Sequence, residues 1–197
     1  MNIREKANKI ASHFIWRKFV SRLFTKIFWM PRAKRVARHI LSQIPEGAQV
    51  LDIGAGNGLV AKEIAEKRNA NITLLDVIDW NTSKFPVKMF DGENIPFKDK
   101  EFDVALLVDV VHHSNNEEQL VKEALRVAKK VVVLEEKHEN KGMSLFANLT
   151  DNLQFILYGM PLGAHHRNSK EWLKFFQGFS PKANIAGEYH QHVIVTI

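Results

Sequence analysis

A short stretch near residue 50 combines an acid with three evenly spaced glycines. Asp52 lies in an apolar run that begins at Val50, and Gly54, Gly56 and Gly58 follow at every second position. The apolar run is typical of a buried parallel strand. Glycines at this spacing indicate a tight turn where the backbone comes close to a ligand. A carboxylate just before the turn favours a ligand with an ammonium group.

Two common nucleotide-binding signatures differ from this pattern. A dinucleotide site would show G-x-G-x-x-G, and a P-loop would show G-K-[ST] after its glycines. The glycines here run G-x-G-x-G, and no G-K-[ST] follows them. Residues 59–67 repeat apolar side chains at helical spacing, so the turn leads into a helix. Strand, glycine turn and helix in this order indicate the nucleotide corner of a doubly wound α/β sheet.

Further acids lie at or just after the next predicted strands. The second buried strand, residues 72–76, ends at Asp76, whose carboxylate could accept both ribose hydroxyls as donors. Asp79 is the nearby alternative. A third short strand, residues 86–90, precedes Asp91 and Gly92, a pair that is also a common surface turn.

The remaining elements complete an alternating strand and helix pattern. Residues 102–109 form the fourth predicted strand, and the later predictions are a helix at 115–127, a fifth strand at 130–135, a helix at 143–159, a helix at 170–177 capped by Ser169, and two strands at 183–186 and 192–197 that run antiparallel around Gly187. The chain therefore ends in the sheet.

Two motifs resemble one enzyme class. The pattern D-x-G-x-G-x-G over residues 52–58 resembles motif I of the class I S-adenosylmethionine (SAM)-dependent methyltransferases. The run F-D-V-x-L-L-x-D-V-x-H-H over residues 102–113 resembles the small-molecule branch of that class, often labelled type 11. The resemblance covers roughly residues 47–135. It departs from the family at residues 128–130, where Ala-Lys-Lys replaces the usual K-P-G-G.

The resemblance implies a Rossmann-like fold: a mostly parallel seven-stranded sheet with an antiparallel closing strand. It implies SAM as cofactor and S-adenosylhomocysteine as product. Asp52 would orient the methionine amino group, Asp76 would hold the ribose, and Asp91 would accept from the adenine amine. The full predicted set of cofactor-binding residues is Asp52, Gly54, Ala55, Gly56, Gly58, Asp76, Val77, Asp91, Gly92, Val108 and Asp109.

Histidines are the candidate catalytic groups. A hydroxyl or protonated amine acceptor would need a general base, and His112, His113 and His166 have a suitable side chain. His112 and His113 could instead be scaffold, one against the cofactor and one as a helix cap. Loop residues His165, His166 and Arg167 could contact an anionic substrate or be solvated. We predict no metal site, because no carboxylate or cysteine at ligand spacing supports one.

Composition supports one α/β domain. The 197 residues are 45% hydrophobic and include no cysteine, which excludes disulfides and thiolate metal sites. No run reaches the roughly 18 apolar residues of a membrane span, and we see no signal peptide. We expect a cytoplasmic protein, with peripheral contact at a membrane as an alternative.

The positive charge is concentrated at the N-terminus. Residues 1–45 hold eleven Lys and Arg residues against one acid, a net charge of +10, which leaves −4 for the other 152 residues. Residues 8–30 predict a basic amphipathic helix, and Pro31 separates it from a second at 32–44. We assign residues 1–45 to a helical extension and 46–197 to the methyltransferase domain. The extension could pack on the domain, cover the cofactor, contact an anionic membrane or, less favoured, bind nucleic acid.

The sequence thus predicts a SAM-dependent methyltransferase. Its acceptor would be a nucleophile on a small molecule, and the apolar 143–180 region with the basic helix suggests an amphiphilic one. The alternative is a SAM-binding protein without turnover that acts as a membrane- or RNA-binding module through its basic N-terminus.

Overall fold

The computed structural model describes residues 25–79, 81–137, 167–189 and 192–197, except for the side chain of Lys26. Most of the predicted helix at 8–30, the predicted helix at 143–159, and His165 and His166 lie outside the described residues.

Seven strands form one sheet: β1 (Gln49–Ile53), β2 (Asn71–Asp76), β3 (Val87–Met89), β4 (Phe102–Val108), β5 (Ala128–Glu136), β6 (Asn184–Tyr189) and β7 (His192–Thr196). Their order across the sheet is β3-β2-β1-β4-β5-β7-β6. The first five strands pair in parallel, whereas β7 runs antiparallel to both of its neighbours. The predicted seven-stranded sheet with an antiparallel closing strand is therefore confirmed.

Helices cover both faces of this sheet. The α-helices of the described residues are α1 (Met30–Ile40), α2 (Leu59–Arg68), α3 (Glu117–Val127) and α4 (Ser169–Gln177). A π-helical turn, Thr25–Trp29, leads into α1, and two 3-10 turns lie at Leu41–Gln43 and Val111–His113. Pro31 does not interrupt a helix here, because it lies in the first turn of α1, where a missing backbone N–H is tolerated.

The apolar strand runs follow from burial on two sides. In β4, Val104 and Leu106 belong to the core cluster that includes α1 and α2, and Ala105 and Leu107 belong to the cluster that includes α3 and α4. Successive side chains of a strand point to opposite faces, so a strand covered on both sides needs apolar residues throughout. This arrangement leaves the carboxyl ends of the strands as the place for polar chemistry.

Helix α1 is part of the core. Val36 and Ile40 are buried, and they share a cluster with Val50 of β1 and Ile64 of α2. Lys34 and Arg35, which directly precede Val36, are exposed. The C-terminal half of the predicted extension thus packs against the sheet, and its basic side chains other than Arg32 are exposed to water or lie at the surface.

Three local predictions are wrong in detail. Asn168, not Ser169, caps α4, because its side chain accepts the Lys170 and Glu171 N–H groups at 3.0 Å while Glu171 completes a capping box. Strand β5 starts at residue 128, directly after α3, so no loop fills the place of the family's K-P-G-G turn. Strand β6 continues through Gly187, where the register only shifts.

The burial of α1 predicts the effect of a core truncation. Replacing Ile40, which is 0% exposed, by alanine should lower the free energy of unfolding by about 2–5 kcal/mol, because the removed side chain leaves a cavity. Urea denaturation would measure it. Lys34→Ala on the same helix should change stability by no more than about 0.5 kcal/mol. Equal, small effects from both variants would show that α1 is not part of the core.

Candidate functional site

The glycine turn after β1 is packed from two sides. Gly54 has a φ of 68°, and a Cβ there would collide with the Val110 side chain. Gly58 has a φ of 70°, and a Cβ there would lie 2.6 Å from Asn81 Oδ1 and Ser83 Oγ. Both positions need glycine for conformation and for space. Gly58 lines neither of the two cavities described below; it allows the loop at 81–83 to close on the turn.

Two cavities open beside this turn at the carboxyl ends of the strands. The larger has a volume of 270 Å³ and the smaller 100 Å³. Both are lined by Gly54, Gly56, Asp109 and His113, so they form adjoining parts of one site. Ten of the eleven predicted cofactor residues line one or both. The larger holds Asp76, Val77, Asp91 and Gly92, and the smaller holds Asp52, Ala55 and Val108.

Asp76 ties the end of β2 to the glycine turn. Its Oδ2 accepts the Gly56 N–H at 2.7 Å, and its Oδ1 accepts the Val77 and Ile78 N–H groups at 2.7 and 3.1 Å. Burial raises the pKa of Asp76 despite these donors. The predicted ribose-binding acid thus lies in the larger cavity with its carboxylate fixed.

Asp52 is the least compensated acid of the site. It is 2% exposed, it lines the smaller cavity, and the described residues donate no hydrogen bond to its carboxylate. Burial, with a further contribution from the charge of Asp76, raises the pKa of Asp52 to about 7. A cation bound in the smaller cavity would stabilise the ionised carboxylate of Asp52 against the unfavourable effect of burial.

Asp109 follows β4 in a conformation that is rare outside glycine, with a φ of 49°. Its Oδ2 contacts the Arg32 guanidinium and lies 3.5 Å from His192 Nε2. Burial opposes ionisation, but Arg32 and then His192 hold the pKa of Asp109 well below its usual range. Oδ1 is buried and has no hydrogen-bond partner among the described residues. An orphaned oxygen beside a cavity indicates that a ligand donor completes the site.

Asp91 forms an exposed turn at the far wall of the larger cavity. Its carboxylate accepts the Glu93 and Asn94 backbone N–H groups at 2.8 and 2.7 Å and the Asn94 side-chain amide at 2.8 Å. The Asn94 bonds are the main reason why the pKa of Asp91 is lowered to about 2. Asp91 is therefore ionised and fixed, as an acceptor for an exocyclic amine requires.

The two cavities together suit an amino acid joined to a nucleoside. Carboxylates of Asp52 and Asp109 in the smaller cavity can hold an ammonium, and Arg32 beside them can hold a carboxylate. The larger cavity offers a buried acid at a strand end for ribose hydroxyls and the Asp91 turn for a base.

Comparison with known proteins identifies which ligand, among those that join an amino acid to a nucleoside, this site binds. A family profile described as "Methyltransferase domain" matches residues 51–134. A tRNA (carboxymethyluridine(34)-5-O)-methyltransferase of Schizosaccharomyces pombe is 27% identical over 174 residues, 80% of this chain and 72% of that protein. A demethylmenaquinone methyltransferase of Tropheryma whipplei is 28% identical over 79% of this chain and 66% of its own length.

The chain is a SAM-dependent methyltransferase. A crystal structure of a SAM-dependent methyltransferase from Thermotoga maritima shares the fold with a TM-score of 0.62 at 17% identity, covering 93% of this chain and 97% of that one. The cofactor is accordingly SAM. Its methionine ammonium and carboxylate match the charges of the smaller cavity, and its adenosine matches the larger.

The histidines of the methyltransferase site differ in their surroundings. His112 is buried, and its Nδ1 lies 2.5 Å from Glu135 Oε2. Burial disfavours its cation, but Glu135, with Asp109 and Glu136, raises the pKa of His112 to about 9. A side chain that is already protonated is a poor general base. His113 lines both cavities, and its ring centroid lies 4.0 Å from that of His112.

The candidate loop residue Arg167 is committed to the scaffold. It makes a bidentate pair with Glu117 at 2.7 and 2.8 Å, and its guanidinium lies over the rings of Trp172 and Phe175. His166, the third catalytic candidate, is outside the described residues. In the described ranges, no group of three or more His, Asp or Glu side chains could hold a metal, and no helix could span a membrane.

Sequence reasoning missed several residues at or beside the site, among them Trp29, Arg32 and Glu135. Trp29 and Arg32 line the smaller cavity from the π-helical turn and α1, where the sequence showed only aromatic and basic character. Glu135 pairs with His112 at the end of β5. The sequence did hold a signal for Glu135. It follows the apolar residues of a strand, which is the same pattern that identified Asp76 as a candidate site residue.

The raised pKa of Asp52 predicts pH-dependent cofactor binding. An ammonium binds the ionised carboxylate, so affinity for S-adenosylhomocysteine should rise about tenfold between pH ~6 and ~7.5, as pH passes through a pKa of about 7. Calorimetry at several pH values would measure it. Asp52→Asn should bind more weakly and without this rise; an unchanged slope in that variant would remove Asp52 from the site.

The position of Asp76 predicts a large loss on truncation. Asp76→Ala should weaken S-adenosylhomocysteine binding by about 1–3 kcal/mol, because charge-assisted hydrogen bonds to the ribose and the Gly56 N–H are lost together. Asp79→Ala is the matched control, since among the described residues Asp79 Oδ1 accepts a single hydrogen bond, from the Asn81 N–H at 3.3 Å. A greater loss in the control would move the ribose contact to Asp79.

Proposed function

We propose that this methyltransferase methylates a nucleophile on a small molecule, with His113 as the general base. The observation that carries the proposal is the position of His113, which lines both the amino-acid and the nucleoside cavity. The sulfonium of SAM joins those two parts of the cofactor. Residues at their boundary are therefore expected near the transferred methyl. Of the four that line both cavities, two are glycines and Asp109 is paired with Arg32, which leaves His113 as the candidate base.

The restricted space at this boundary supports a small acceptor. Trp29 and Arg32 form part of the wall of the 100 Å³ cavity assigned to the amino-acid end of the cofactor, so a bulky folded acceptor that approached the methyl from this side would have to displace the π-helical turn and α1. The amphiphilic acceptor expected from the sequence stays part of this proposal. The relative from Tropheryma whipplei is named for a comparable acceptor, a demethylmenaquinone.

The residues of the chain divide the work. SAM supplies an activated methyl with a neutral thioether as leaving group. Asp52, Asp76 and Asp91 orient the cofactor, and Trp29 and Arg32 exclude water from its amino-acid end. His113 accepts the proton of a hydroxyl or ammonium acceptor, because His112 is held protonated by Glu135.

A second candidate acceptor is RNA. One relative is named for methylation of a tRNA uridine, and α1 exposes Lys34, Arg35 and Arg38. Exposed lysine and arginine side chains bind phosphates without sequence preference. Peripheral membrane contact through residues 8–30 and a cytoplasmic location stay predictions of the sequence.

Methyl transfer from labelled SAM tests the proposal. Purified protein should label small phenols, quinols or amphiphilic amines rather than tRNA. His113→Ala should lower kcat by about 10²–10⁴-fold with little change in the KM for SAM, as expected for loss of a general base. His39→Ala is the matched control, because His39 stacks on Tyr189 at 3.9 Å and lines neither cavity.

Three outcomes would contradict the proposal in different ways. Labelling of tRNA alone would favour the RNA candidate. Full activity of His113→Ala would remove the base but keep the acceptor class. Cofactor binding without transfer to any acceptor would favour a protein that holds SAM without turnover.

A further inference from the structure

Glu135 is a buried acid whose role in the proposed chemistry is so far limited to holding His112 protonated. It is 0% exposed at the end of β5 and lines neither cavity. Its Oε1 accepts the backbone N–H groups of Val110 and Val111 at 3.1 and 2.7 Å. Its Oε2 lies 2.5 Å from His112 Nδ1. One carboxylate therefore holds three consecutive residues.

We propose that Glu135 is a positioning residue that shapes the cofactor site, by fixing the turn after β4 and the orientation of the His112–His113 pair. The inference deepens the proposed function: it rests on SAM as the ligand and on His113 as the candidate base near the transferred methyl.

The turn held by Glu135 forms a wall of the larger cavity. Asp109 and Val110 line that cavity, and the Val110 side chain packs where a Cβ of Gly54 would lie. Strand β5 also binds the preceding residue, since the Asp109 N–H donates to Leu134 O at 2.8 Å. The end of β5 thus holds the N–H groups of residues 109, 110 and 111 in succession and keeps Asp109 in its left-handed conformation.

The same carboxylate fixes the histidine pair. His112 Nδ1 must carry a proton to donate to Glu135, and the acids that surround the ring among the described residues are Glu135, Asp109 and Glu136. Of these acids, Asp109 is itself next to two basic side chains, Arg32 and His192. Because the His113 ring rests 4.0 Å from His112, a fixed His112 gives His113 a fixed support at the boundary of the cavities.

Two substitutions separate these effects. In Glu135→Gln, the amide oxygen can still accept the Val110 and Val111 N–H groups, and the NH₂ donates to a neutral His112. S-adenosylhomocysteine affinity should stay within about threefold of wild type, while NMR should show His112 neutral at about pH 8 instead of protonated. In Glu135→Ala, three donors lose their acceptor, and affinity should fall about 10- to 100-fold.

Val195→Ala is the matched control for loss of stability. Val195 is fully buried in β7 and lies outside both cavities, so this variant should unfold more easily and bind S-adenosylhomocysteine like wild type. Unfolding midpoints of all variants would be measured beside their affinities.

The outcomes are distinct. Wild-type affinity in Glu135→Ala would overturn the inference, and so would equal losses of affinity in Glu135→Ala and Val195→Ala. Persistence of a protonated His112 in Glu135→Gln would overturn the part that concerns the histidine pair. If the wild-type protein binds no S-adenosylhomocysteine, the cofactor assignment fails, and the NMR titration of cofactor-free protein still tests the Glu135–His112 pair.

Discussion

Four acids at the carboxyl ends of adjacent parallel strands, three of them buried and Asp109 half-buried, are the constraint on which this site depends. Asp52, Asp76, Asp109 and Glu135 belong to the ends of β1, β2, β4 and β5. Each of three carboxylates has partners that offset the cost of its burial. Backbone N–H groups donate to Asp76, and the cationic side chains of Arg32 and His192 lie beside Asp109. The carboxylate of Glu135 is paired with His112 and accepts two backbone N–H groups. Asp52 has no such donor among the described residues. The protein thus leaves one buried carboxylate for the ligand to compensate, and an ammonium can do so.

This arrangement explains how the basic N-terminal region serves a cofactor site. Arg32 reaches from α1 to Asp109, while Val36 and Ile40 of the same helix are buried against the sheet. The packing of α1 therefore fixes a cation beside the acids at the strand ends. In this part of the extension, the apolar face stabilises the fold, one arginine belongs to the site, and the other cations face water.

Much of the architecture could be predicted from the sequence. Apolar runs bounded by glycines and acids define the parallel strands, since both faces of this sheet are buried. Turn details could not, because Asn168 and Ser169 are both good helix caps and only Glu171 distinguishes them. Cofactor-site residues could be predicted where a single acid marks the end of an apolar strand, as Asp76 does. Pairings such as Glu135 with His112, 23 positions apart, depend on sheet order, which periodicity does not reveal.

The central claim is that the two adjoining cavities bind SAM. Calorimetric titration of the cofactor-free protein with SAM and with S-adenosylhomocysteine tests it most directly. We predict one site per chain with a dissociation constant on the order of micromolar for both ligands, about −8 kcal/mol of binding free energy. Absence of binding by either ligand to protein shown to be folded would contradict the account.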